Sequence, residues 1–205
     1  VDTESVPAPA APQPPPDSPP APLPVPPKLS ELPPAEAKAV YADISGTLAD
    51  ITYLGILQWV MKHFLGGVLF RVWQVGLLVK GPYWFLLGRI NRQRLHASIC
   101  YEYTGMDNYD MQELAEVLYR SYIKPRLYPD AMKTLRDFSE RGYRIVLITN
   151  EVDYLMRPLA RELKADLIAS VLIEKETGFT GAAENGTLTD ERKANAIRSH
   201  AEEHG

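Results

Sequence analysis

Three side chains of this 205-residue chain complement one another chemically: the carboxylate of Asp43, the hydroxyl of Thr149 and the ammonium of Lys193. A carboxylate can attack phosphorus, while a hydroxyl donor and a fixed positive charge stabilise the charge spread over the equatorial oxygens. Taken singly, each has an ordinary structural use. An aspartate after a strand is commonly a turn former, Thr149 can cap the helix that follows it, and Lys193 can be an exposed helix lysine. Gathered at one sheet edge, the three suit phosphoryl transfer.

The surrounding sequence predicts such an edge. Ala39-Val40-Tyr41-Ala42 is a short apolar β-like run ending at Asp43, and Ser45-Gly46-Thr47 supplies turn chemistry. Arg144-Ile145-Val146-Leu147-Ile148 reads as a fully buried parallel strand closed by Thr149. Pro129 opens a helix with Ala131, Leu135 and Phe138 on one face and Gly142 just past its end. A further helix covers roughly 153 to 164, and Asp166 to Ile173 reads as another strand. Gly178, Gly181 and Gly186 break up a short loop or hairpin, and Lys193 sits near the start of a polar helix that opens at Thr189-Asp190. Strands alternating with helices predict an α/β fold, whose sites collect at the carboxyl ends of the strands.

Two stretches stand apart. Residues 1–36 are rich in Pro and Ala and read as an extended or disordered tether, because proline fixes φ and removes a donor. Residues 51–88 carry no acidic side chain and few basic ones, Lys62, Arg71 and Lys80, with His63 beside the first. Gly66-Gly67 and Gly81-Pro82 punctuate this run and predict two or three short helices. It holds no uninterrupted apolar stretch near the ~18 residues of a membrane span. Three readings stay open for it: packed helices, an apolar substrate pocket, or a surface that meets a bilayer peripherally. For the last, Trp59, Trp73, Tyr83 and Trp84 are types that sit at a headgroup boundary.

Beyond that run, Asp110 with Glu113 forms a capping-box-like start to an amphipathic helix. Its face is Met111, Leu114, Val117, Leu118 and Tyr122, and Pro125 ends it. Asp50 reads as a helix cap. The net charge of −4, with no basic tail or stripe, gives no electrostatic footprint for nucleic acid. Cys100 is the only cysteine, which excludes a disulfide framework and a thiolate metal cluster and fits an intracellular setting, cytoplasmic or at a membrane surface. His200 and His204, at i and i+4, read as an exposed polar face.

The order of these segments resembles the haloacid dehalogenase superfamily. Asp43-Ile44-Ser45-Gly46-Thr47-Leu48 is similar to its first motif, Asp-x-Asp-Gly-Thr-Leu. Ile145 to Thr149 is similar to its second, and Lys193 falls where its third-motif lysine belongs. Tyr128-Pro129, Arg157-Pro158-Leu159-Ala160, Ala165-Asp166 and Glu174 with Thr177-Gly178-Phe179-Thr180-Gly181 look like the phosphoserine-phosphatase-like branch. The resemblance covers about residues 39 to 205.

It implies a Rossmann-like parallel-sheet core, residues 37–51 and 126–205, with an apolar helical cap inserted at 52–125. It also implies Mg²⁺-dependent hydrolysis of a phosphorylated small molecule or lipid-like substrate. Asp43 would be nucleophile and Mg²⁺ ligand, the Ser45 carbonyl a second ligand, and Lys193 the neutralising cation. Ser45, Gly46, Thr47, Thr149 and Asn150 would bind the phosphate. Two departures matter. The second Asp of motif one, the general acid/base, is Ser45 here, and a serine hydroxyl takes up no proton near pH 7. The acidic fourth motif is expected after one more strand beyond Gly205, so the fold is expected to be C-terminally truncated and inactive as it stands. Slow turnover, a dehalogenase-type reaction or a catalytically inactive binding or membrane-tethering module are the alternatives.

Overall fold

Three parallel strands, in the order β1-β2-β3, form the sheet that organises the molecule: β1 (Ala39–Asp43), β2 (Arg144–Val152) and β3 (Asp166–Ser170). The computed structural model describes residues 38–204, so the Pro/Ala-rich arm lies outside the described residues. Strand β2 is central, and Ile145, Val146, Leu147 and Ile148 are all buried. A strand covered on both faces must be apolar at successive positions, as that run is. The parallel pairing of β1 with β2 starts at Ala39 opposite Arg144 and runs to Asp43 opposite Ile148.

Parallel neighbours need crossover connections. Helix α5 (Pro129–Glu140) leads into β2, with Pro129 at its first turn, and Gly142 takes φ +84 after the helix ends. Helix α6 (Asp153–Leu163) joins β2 to β3 and buries Leu155, Met156, Leu159 and Ala160. The strand expected from Arg144 to Thr149 is longer than its apolar run, since β2 continues through Asn150, Glu151 and Val152. The single strand expected over Asp166 to Ile173 is two. The chain bends after Ser170, and β4 (Leu172–Lys175) turns back in an antiparallel hairpin with β5 (Gly178–Ala183). Apolar residues continue across that bend, so periodicity alone did not reveal it.

Between β1 and α5 the chain makes four α-helices, α1 (Tyr53–Leu65), α2 (Gly67–Ile90), α3 (Arg92–Cys100) and α4 (Asn108–Leu118), with short 3-10 and π turns after α3 and α4. The outgoing and returning segments run side by side. The Asp50 amide donates to the Arg126 carbonyl (2.9 Å), the Tyr128 amide donates to the Leu48 carbonyl (2.8 Å), and Ala49 bridges Leu127.

Three local expectations are corrected here. Thr52, not Asp50, caps α1, its hydroxyl accepting from the Gly55 amide at 3.1 Å. Asp107, not Asp110, caps α4, its carboxylate accepting from the Asp110 amide at 2.7 Å, and Val117 of the expected face is half exposed. Helix α2 is one 24-residue helix that runs through Gly81-Pro82 instead of breaking there. A helical proline costs one amide bond and a clash a turn earlier. With eight more helical residues after Pro82, this did not suffice to stop the chain.

Last comes α7 (Asp190–His204), polar and laid against the sheet.

Candidate active site

Asp43 is the last residue of β1, and its partner in register is Ile148. Thr149 and Asn150 therefore lie one and two residues farther along the neighbouring strand, at the same carboxyl edge. After Asp43 the backbone folds back tightly. The Leu48 and Ala49 amides both donate to the Ile44 carbonyl, at 2.9 and 3.0 Å, and the Gly46 amide donates to the Ala49 carbonyl at 2.8 Å. Gly46 sits at φ +76 with open space where a Cβ would be, so the left-handed backbone alone is what calls for glycine. Ser45 is partly buried in this turn, and Gly46 and Thr47 are exposed.

Helix α7 delivers the cation. The Lys193 Nζ donates to Asp43 Oδ1 at 2.6 Å across 150 residues of sequence. Two turns on, His200 Nδ1 lies 3.0 Å from the Tyr41 hydroxyl, and the His200 Nε2 lies 3.5 Å from the Asp166 carboxylate on β3. Tyr41 and Asp43, two apart on a strand, share one face of the sheet; Lys193 and His200, seven apart, share one face of a helix. The two contacts thus fix α7 along β1 and hold the ammonium over the carboxylate. His200 is therefore a positioning contact and not part of an exposed face, which corrects the sequence reading. His204 is exposed.

Thr149 is buried, and its hydroxyl accepts a hydrogen bond from the Glu151 amide at 3.2 Å. That leaves its O–H free to donate elsewhere. Asn150 keeps a buried side-chain oxygen without a partner among the described residues, while its carbonyl accepts from the Ser170 hydroxyl at 3.0 Å. The amide end of Asn150 is the one that suits an anion.

A second carboxyl stands behind this edge and was missed in the sequence. Glu151 is 1 % exposed, and both its side-chain oxygens lack a hydrogen-bond partner among the described residues. Burial, and secondarily the negative charge of Asp43, push its pKa from the ordinary 4.5 up to about 8. At neutral pH it is mostly a neutral acid. Beside burial, its charge, when present, also helps hold the Tyr53, Cys100 and Tyr103 protons on, raising the pKa of each. The signal was present: a carboxylate directly behind Thr149-Asn150 in an otherwise apolar strand. Cys100 offers no alternative nucleophile, since burial pushes its thiol up to about 11, and the Tyr53 hydroxyl sits 3.2 Å from its sulfur.

Among the described residues no cluster of three or more His, Cys, Asp or Glu side chains could hold a metal ion. Mg²⁺ asks for less, since one or two carboxylates with waters and phosphate oxygens suffice. Asp43, whose side chain is 41 % exposed, together with the Ser45 carbonyl in the adjoining turn, meets that minimal requirement.

Comparison with known proteins bears on this geometry. The sequence pattern of the family described as haloacid dehalogenase-like hydrolase matches residues 40–205. No curated protein matches the sequence. Among solved structures, a protein of unknown function from Bordetella pertussis Tohama I superposes with TM-score 0.65 at 17% identity, covering 80% of this chain and 73% of that one. A HAD family hydrolase from Salmonella enterica serovar Typhi gives TM-score 0.58 at 10% identity, with coverages of 82% and 52%. A substrate-bound phosphoserine phosphatase gives TM-score 0.56 at 15% identity, with coverages of 82% and 72%. At these identities the likeness is one of fold.

Proposed function

This chain belongs to the haloacid dehalogenase-like hydrolase family, with the fold of its phosphoserine-phosphatase-like branch, and from that premise we propose that it hydrolyses a phosphomonoester through a phosphorylated Asp43. The observation that carries the reading is the 2.6 Å contact between Lys193 and Asp43 at the carboxyl edge of the parallel sheet.

In the first step an Asp43 oxygen forms a bond to phosphorus as the ester oxygen departs with its electron pair and acquires a proton. In the second, water attacks the aspartyl-phosphate, releasing inorganic phosphate and restoring the carboxylate. Lys193 neutralises Asp43 before attack and the phosphoryl oxygens during it. The Thr149 hydroxyl, the Asn150 amide and the Ser45 and Thr47 hydroxyls of the turn hold those oxygens, while the Gly46 and Thr47 amides close the turn on the Ala49 and Ile44 carbonyls. When bound at Asp43 and the Ser45 carbonyl, Mg²⁺ supplies further neutralisation of phosphate charge. Glu151 is mostly neutral at pH 7 and so adds little negative charge beside Asp43.

Ser45 sets the pace. With no carboxylate at that position, protonation of the leaving group and activation of water both lose general acid–base help, worth typically ~10²–10⁴ in rate. The same residue favours the second reading, a phosphate-binding module of this fold with little or no turnover. We assign residues 52–125 as the cap that selects substrate, and their apolar helices favour a lipid-like or otherwise apolar phosphomonoester and peripheral contact of residues 51–88 with a membrane.

The test is phosphate release by the full-length protein, with and without Mg²⁺, from soluble and lipid phosphomonoesters. Slow, Mg²⁺-dependent release that disappears in Asp43→Asn supports the enzyme. No release by the wild type but measurable release by Ser45→Asp supports the binding module. Release that survives Asp43→Asn contradicts both.

A further inference from the structure

Helix α2 carries apolar residues on two opposite sides, and the two sides have opposite fates. Phe70, Trp73, Leu77 and Trp84 turn toward the protein and pack against the buried core. On the other side Val68, Val72, Val75, Val79, Leu86 and Ile90 form a strip along the whole helix, each between 59 and 78 % exposed. At 100° per residue these positions fall within about 60° of one another, so they make one continuous ridge roughly 33 Å long. Tyr83, 58 % exposed, lies on the same ridge. Soluble surfaces seldom leave so long an apolar stripe open to water. An exposed apolar stripe of this length rimmed by charges marks a surface that something else covers.

The charges around the ridge say what covers it. From Ile51 through Tyr101 the chain has no Asp or Glu, yet carries Lys62, Arg71, Lys80, Arg89, Arg92 and Arg94, in a protein whose net charge is −4. Arg71 and Arg89, five turns apart, are both exposed and line one border of the ridge. Long cationic stems beside an apolar stripe can lie along it while their heads reach phosphate groups. The Arg89 guanidinium already lies 5.0 Å from the Phe85 ring centre, at the same border. Lys80, on the opposite border, is held by Glu102 at 2.6 Å and is thereby kept clear of the apolar ridge. Among the described residues no helix is long and apolar enough to cross a membrane, so α2 would lie in the surface plane.

A second copy of this chain fits less well. An isologous, antiparallel pairing of the ridge would bring Arg71 of one copy toward Arg89 of the other, with no carboxylate in the stretch to separate them.

We propose that the Val68–Ile90 ridge of α2, bordered by Arg71 and Arg89, is a docking face for an anionic lipid bilayer, with α2 lying in the plane of the headgroups. It deepens the membrane-contact reading above, yet vesicle binding is read without substrate, so its failure leaves phosphate release at Asp43 untouched, and the reverse.

The test is flotation of the intact protein with phosphatidylcholine vesicles, with and without phosphatidylserine, beside light scattering of the protein alone. The expected result is a monomer that floats with phosphatidylserine vesicles and at least tenfold less with phosphatidylcholine alone. Added salt weakens that binding, and Arg71→Gln/Arg89→Gln lowers it severalfold. Val72→Glu/Val79→Glu/Leu86→Glu abolishes it at a nearly unchanged melting temperature, because those side chains are mostly exposed. Failure to float with either vesicle overturns the proposal. So does a stable dimer that the triple variant dissociates, or binding that survives the triple variant.

Discussion

The carboxyl edge of the sheet and helix α2 treat water in opposite ways. At the sheet edge, polar groups are pulled out of water. Thr149 and Glu151 are 1 % exposed, Asn150 keeps a dry oxygen, and Lys193 reaches inward to Asp43. On α2, valines and leucines are pushed into it. Either placement costs free energy in an isolated chain, the first by desolvation and the second by exposed apolar area. Each kind of cost therefore points to something outside the chain. For the first, that is a charged group arriving at the site. For the second, the proposed partner is an apolar phase meeting the surface. In the proposed reading the roles separate along the same line, with chemistry at the sheet edge and contact on α2.

The sharpest way to probe the chemical side is Ser45→Asp. Restoring a carboxylate there is expected to raise phosphate release by ~10²–10⁴, measured as kcat at saturating substrate. An unchanged rate would mean that proton transfer does not limit this site.

The packing side of the comparison is tested by truncation in each region. Leu147→Ala, at a fully buried position of β2, is expected to destabilise by ~2–5 kcal/mol in urea unfolding. Val79→Ala, on the α2 ridge, should stay within ~0.5 kcal/mol of wild type. Similar losses at both positions would mean that α2 is covered in the free protein.

Glu151 gives a pH-resolved version. Its pKa is about 8 in the fold and near 4.5 when unfolded, so the native state holds a proton that the unfolded state releases. Stability from this group is full below pH ~4.5, falls as pH rises toward 8, and is flat beyond. Glu151→Gln removes that slope. Its stability relative to wild type should grow between pH 5 and pH 8, by an amount on the order of a few kcal/mol. A difference that does not change with pH would show that Glu151 titrates normally. The smallest effect is expected at the Lys80–Glu102 pair. Its lysine is 45 % exposed, so Lys80→Met should shift stability by no more than ~1 kcal/mol, seen in the same unfolding curves.

Much of this was legible in the sequence where local pattern and global role agree. The apolar run of Ile145 to Ile148 could only be a buried strand, Pro129 and Gly142 bracket a helix, and Asp43 ends a strand at a glycine turn. What was not legible depends on tertiary context. The bend after Ser170 lies inside a continuous apolar stretch and is set by where the hairpin packs. Asp107 and Asp110 are both acceptable caps, and only the backbone decides between them. Gly81-Pro82 reads as a break because propensity argues for one, yet α2 runs through it. His200 looked like a surface residue because nothing in the sequence brings Tyr41 and Asp166 to it. Glu151 was overlooked for the same reason. Only the fold shows that its carboxyl faces the buried side with Asp43 nearby.

The proposed role of Asp43 as nucleophile can be tested directly, and Ser45 offers the route. If the second step lacks a general base, the aspartyl-phosphate should persist long enough to be caught by acid quenching. Mass spectrometry of the full-length protein, quenched during incubation with a phosphomonoester and Mg²⁺, is then predicted to find phosphate on Asp43, at higher occupancy than in Ser45→Asp and absent in Asp43→Asn. Phosphate release with no label on Asp43, or label on another residue that survives Asp43→Asn, would contradict the account.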